Sequence, residues 1–187
     1  MFQTIYERPV EWNADRYIRG YSHTQFTSLI TEEAKEYTDA IILADKLDAL
    51  ADMFFVCIGG LWKLGENPYN YLYNKHPFAL QYPQEGHVNT WPGIDHLVNR
   101  ITILDDSEAI KTCIAALLQA INFEFLNLTC KEQEAELAIS IICDSNDTKA
   151  RITIPAGDKG DLKTKGFIPP NKRLQLLAEM IQNDEEV

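Results

Sequence analysis

Close-spaced metal-binding signatures are missing from this chain. The four cysteines, Cys57, Cys113, Cys130 and Cys143, form no Cys-x-x-Cys pair, and the histidines, His23, His76, His87 and His96, form no His-x-x-x-His pair. These spacings argue against zinc. Cys57 and Cys113 fall inside apolar helical patterns and read as buried thiols. No apolar run reaches 18 residues without a charge, and no signal peptide opens the chain. The expectation is a cytoplasmic protein with reduced thiols and no membrane partner. Positive charge is also scarce. Seventeen Lys and Arg face 28 Asp and Glu, a net charge of -11. A nucleic-acid backbone would be repelled, so nucleic acid is not expected as a partner.

What is present is enough for one sizeable core. The 187 residues are 45% hydrophobic and 24% charged, the balance of a globular chain and not of a disordered one. The charge is uneven. Residues 149–173 carry a net +5, which leaves -16 on the rest. A basic stretch on an acidic protein suits a small anionic ligand, or forms a solvated tail.

Apolar periodicity predicts an all-α fold, a four-helix bundle core with a long irregular excursion and a small extended C-terminal tail. The principal helices are expected near 24–44, 46–64, 108–127 and 131–145. A break falls within 40–44, Asp45 is a candidate cap for the second helix, and Asp106 or Ser107 for the third. Gly59 and Gly60 cost roughly 1 kcal/mol each inside a helix, so they mark close packing or a kink. Gly65 reads as a stop. Residues 1–22 hold at most a short helix. Residues 66–106, rich in proline and aromatics, read as an excursion packed on the helices or on another subunit. Glu124 faces either an acidic pocket or solvent. In the tail, 151–155 reads as a short strand, 156–161 as a turn, 165–170 as extended, 171–181 as a helix and 182–187 as frayed. One domain, 1–187, holds the insertion at 66–106 and a basic tail at 146–181.

The chemistry is concentrated in two short acidic runs, Glu32-Glu33-Ala34-Lys35-Glu36 and Asp48-Ala49-Leu50-Ala51-Asp52. On helices, Glu33 and Glu36 lie on nearly one face, and Asp48 and Asp52 sit one turn apart beside the apolar stripe. Like charges this close repel unless a cation lies between them. Two facing helices so decorated make an oxygen-rich pocket, which suits a hard cation such as Mg²⁺ together with a phosphate. The alternative is a solvated helix surface.

Leu29-Ile30-Thr31-Glu32-Glu33-Ala34-Lys35-Glu36, Asp48-Ala49-Leu50-Ala51-Asp52 and Gly59 together resemble the all-alpha nucleoside triphosphate pyrophosphohydrolases of the MazG type. Asn146-Asp147-Thr148-Lys149 and Lys165-Gly166-Phe167-Ile168-Pro169-Pro170 are similar to elements of phage-type members. The resemblance covers residues 24–65 and 108–178 and leaves 66–106 without a counterpart. It implies hydrolysis of a (deoxy)nucleoside triphosphate to the monophosphate and pyrophosphate, with Mg²⁺ or Mn²⁺ as cofactor. It implies Glu33, Glu36, Asp48 and Asp52 as metal ligands, and Glu32 or Glu33 as the catalytic base. Asn146, Lys149 and Lys165 are implied at the substrate phosphates, and a homodimer or homotetramer as the assembly. The chain departs from the pattern at Ala49, where the family's second motif carries glutamate. The competing expectation is a catalytically inactive helical binding or assembly protein that keeps the fold.

Overall fold

The structure, a computed structural model, describes residues 2–16, 20–80, 91–129, 131–149 and 166–185. Among the described residues the chain is all α-helical, with one 3-10 turn and no strand. The helices are α1 (Phe2–Asp15), α2 (His23–Asp39), α3 (Leu43–Lys63), α4 (Pro68–Lys75), α5 (Trp91–Thr102), α6 (Ser107–Thr129), α7 (Glu132–Asp147) and α8 (Asn171–Glu185); the 3-10 turn is Pro77–Leu80. The expected strand at 151–155, the turn at 156–161 and Lys165 lie outside the described residues.

Helix α3 is the hub. Its buried residues include Leu47, Leu50, Ala51, Met53, Phe54, Cys57, Ile58 and Leu61, which cover most of its circumference. A helix apolar on nearly all sides must be surrounded, and α1, α2, α4, α6, α7 and α8 all touch it. It ends as Gly65 predicted. Gly65 adopts φ +90, and Glu66 N–H donates to Leu61 O at 3.1 Å while Gly65 N–H donates to Trp62 O at 3.0 Å. This paired closure satisfies the last carbonyls and favours glycine at the left-handed position.

Gly59 and Gly60 mark close packing of neighbouring side chains. A Cβ on Gly60 would lie 2.5 Å from the Phe26 ring of α2, and one on Gly59 would lie 3.1 Å from Asn13 Nδ2 of α1. The break between α2 and α3 falls at Ala40–Ile42, inside the predicted window. Asp45 does not cap α3. Ile42 holds that position without a side-chain bond, and Asp45 sits in the first turn, where a negative charge still favours the helix dipole. Asp106 does cap α6, its carboxylate accepting from Ala109 N–H at 2.7 Å.

Three expectations need correction. Residues 2–15 form a 14-residue helix despite Pro9. Its buried positions, Ile5, Tyr6, Pro9, Asn13 and Arg16, follow helical spacing. Two of the five are strongly polar, which hides the apolar stripe from a periodicity argument. The described part of 66–106 is largely helical, not irregular. Asn67 caps α4 with Pro68 at its first position, and α5 buries Ile94, Val98 and Ile101 on one face. Glu124 faces neither solvent nor an acidic pocket. It is buried on α6 and accepts hydrogen bonds from Tyr37 of α2 and from Asn127.

Helix α6 is long and apolar enough to cross a membrane by composition, yet 61% of its apolar window is buried inside the fold, as in a core helix. Helix α8 runs to Glu185, four residues past the predicted end.

Candidate functional site

The acids fall where two helical stripes meet. On α2, Phe26, Leu29, Glu33 and Glu36 recur at three- and four-residue steps, with Glu32 beside them; on α3, Asp48, Asp52, Phe55, Gly59 and Lys63 do the same. Such spacing keeps one face of each helix turned to the same side. These residues line one cleft of about 470 Å³, within the range of ligand pockets. Because the chain reverses at Ala40–Ile42, the acids gather at the turn end, and Lys63 lies at the other.

The remaining walls come from distant parts of the sequence. Helix α7 contributes Ile142, Ser145 and Asn146, and Lys149 follows just beyond it. The segment after the undescribed stretch returns with Phe167, Pro169, Pro170 and Asn171. It is tied back by Ile168 N–H, which donates to Thr148 Oγ1 at 2.9 Å. The ammonium of Lys149 lies 5.9 Å from the Phe167 ring centroid, a cation–π contact. Glu32, Glu33, Glu36, Asp48, Asp52, Asn146 and Lys149 therefore share one cavity. Lys165 belongs to the residues not described.

The electrostatics are those of acids crowded against acids. Glu33 is pushed well above the usual carboxylate range, first by burial and then by Asp52, Glu36, Glu32 and Asp48. Asp48 is pushed up to about 7 by burial and then by Asp52, Glu36 and Asp45, with Lys149 pulling the other way. Removal of a carboxylate from water, together with like charges, disfavours the ionised form. Asp48 Oδ1 is buried with no hydrogen-bond partner among the described residues. At the opposite end, burial holds Lys63 below the usual lysine value.

Among the described residues no three His, Cys, Asp or Glu side chains are drawn tightly around one point. In kind, however, the cleft acids fit a hard cation: every donor is a carboxylate oxygen, and a buried one has its acceptor capacity open. Ala49, where the resemblance expects glutamate, is 2% exposed and packed in the core, while Asp48 lines the cleft.

Sequence reasoning missed Trp12 and Asn13 as cleft residues. Both come from α1, and Asn13 is held by its Nδ2 donating to Pro9 O at 2.7 Å. Their signal was the helical spacing of the half-polar buried stripe on α1. The described part of 66–106 supplies nothing to the cleft.

Comparison with known protein families, curated proteins and solved structures finds no match for this chain.

Proposed function

We propose that the protein is a metal-dependent nucleoside triphosphate pyrophosphohydrolase of the all-alpha, MazG-like type, with α2, α3, α6 and α7 as its four-helix bundle core. One observation carries the reading. Five carboxylates singled out by their sequence spacing line the same cleft as Asn146 and Lys149, which lie about a hundred positions further along the chain. Nothing in helical periodicity alone requires that meeting.

In this reading Glu33, Glu36, Asp48 and Asp52 hold Mg²⁺, or Mn²⁺ in its place. The ion, when bound, would supply charge neutralisation for the triphosphate and a more acidic water. Glu32 or Glu33 takes a proton from the attacking water. Lys149 and, as the resemblance implies, Lys165 meet phosphate oxygens as point charges, and Asn146 donates from its amide. The aromatic part of the cleft, Trp12, Phe26 and Phe55, takes the planar base by stacking. Cleavage between the α and β phosphates follows from the resemblance, as does a homodimer or homotetramer; a cytoplasmic setting follows from the cysteine pattern.

A second reading, a non-catalytic helical binding or assembly protein, is favoured by Ala49. A panel of ribo- and deoxynucleoside triphosphates, assayed with Mg²⁺ and pyrophosphate detection, separates the two. Release of pyrophosphate from at least one nucleotide is expected. No release from any, with the protein folded, would leave the binding reading.

A further inference from the structure

The phosphate-facing residues sit at the wrong end of a helix. Asn146 lies in the last turn of α7 and Lys149 just after it. A helix C-terminus carries roughly half a negative charge, and anions gather instead at N-termini. Two aspartates, Asp144 and Asp147, add to the negative charge of that turn. A polyphosphate could not rest there unless the end were neutralised.

The neutralising group is on α1 and its edge. Arg16 is 2% exposed. Its Nη2 donates to Lys149 O at 2.7 Å and to Asn146 O at 3.3 Å, and its Nη1 donates to Trp12 O at 3.3 Å. Trp12 Nε1 donates to the same Asn146 O at 2.7 Å. The guanidinium carbon lies 4.2 Å from the Trp12 ring centroid. A guanidinium keeps its charge when buried, and its fork can hold two carbonyls at once. The aspartates are met separately. Arg8 reaches Asp144 and Asp147 at 2.7 Å, and Arg173 reaches Asp144 at 2.6 Å.

We infer that Arg16, seconded by Trp12, converts the C-terminal end of α7 into a polyphosphate-accepting end, acting as a positioning residue through Asn146 and Lys149. The inference rests on the proposed function only in taking the ligand's anionic part to lie at those two residues. Arg16 does not itself line the cleft; it supplies a fixed positive charge behind the carbonyls and sets where Lys149 leaves the helix.

Arg8 provides the control, because it also joins α1 to α7 but grips the aspartates and Ser140 O, not the terminal carbonyls. The test is titration of inorganic tripolyphosphate with Mg²⁺ into the full chain, by calorimetry. Arg16→Gln is expected to weaken binding about tenfold or more, and Arg16→Lys by less, since charge is kept and the fork lost. Arg8→Met, which uncovers the two aspartates but leaves the carbonyls held, is expected to lower the melting temperature and to weaken binding by less than Arg16→Gln. If Arg16→Gln does not fold, Arg16→Lys and Trp12→Phe carry the comparison. Unchanged binding in the Arg16 variants, equal loss in Arg8→Met, or no binding by the parent would each overturn the inference. A parent that binds tripolyphosphate but turns over no nucleotide would instead defeat the catalytic reading and leave this one standing.

Discussion

Two groups of acids in this molecule are treated in opposite ways. Where α3 gives way to α4 and α6 begins, Glu66 and Glu108 share the buried ammonium of Lys111, with Glu66 at 2.7 Å. There the hydrogen bond from Lys111 holds Glu108 below its ordinary value, and donating to Glu108 and Glu66 raises Lys111. In the cleft, the charges that act on Glu33 are all acidic, and burial adds to their effect. The first cluster is complete and serves packing. In the second, like charge presses on Glu33 and Asp48, with Lys149 drawing Asp48 the other way, and an external cation would relieve that crowding.

The largest expected effect tests the second cluster. Asp52→Ala or Glu36→Ala should lower Mg²⁺-dependent turnover by at least about 100-fold while the far-ultraviolet circular dichroism stays that of the parent. Normal turnover in both would remove the cleft from consideration. Lys111→Met should do the reverse. It leaves Glu66 and Glu108 without their cation and should lower the urea midpoint, with turnover unchanged.

The pH dependence of stability sharpens the contrast. Glu33 and Asp48 are raised above their unfolded values. Between the two sets of values the folded chain binds more protons than the unfolded one, so stability is highest at low pH and falls as pH rises. The cleft's contribution should therefore decline from about pH 4 and go on declining through about pH 7, where Asp48 titrates, and beyond as Glu33 does. Glu33→Gln should flatten this decline in metal-free protein, measured by melts across that range. A metal-free parent whose stability rose over the whole interval, with the variant unchanged, would mean that the acids are not crowded.

The smallest effects separate the two glycines. Gly60→Ala meets the Phe26 ring at 2.5 Å, so overpacking of about 1–3 kcal/mol outweighs the roughly 1 kcal/mol gained in helix propensity. Gly59→Ala meets only the tip of the Asn13 side chain at 3.1 Å. Its thermal melt should stay within about 1 kcal/mol of the parent.

The Lys111 cluster and the cleft acids were not equally legible in the sequence. Glu32, Glu33, Glu36, Asp48 and Asp52 stood out because local spacing on one helix determines which residues share a face. The helix-ending role of Gly65 and the cap at Asp106 were legible for the same reason. Lys111 was not. Glu108 lies one turn before it on α6, but Glu66 meets it only through the packing of separate segments, and a lysine in an apolar helix carries no sign that it is buried. Helix α1 escaped because Asn13 and Arg16 occupy buried positions that usually hold apolar residues. The partners of Arg16 are at the end of α7, some 130 positions away, and no local pattern encodes that contact.

The central claim is that the cleft acids, and not the Lys111 cluster, await a cation. Titration with Mn²⁺, following the free ion by electron paramagnetic resonance, tests it most directly. The account predicts saturable binding of at least one ion per chain, abolished in the Asp48→Asn/Asp52→Asn double variant and retained in Lys111→Met. Absence of saturable binding in the parent, or binding that the double variant leaves unchanged, would contradict it.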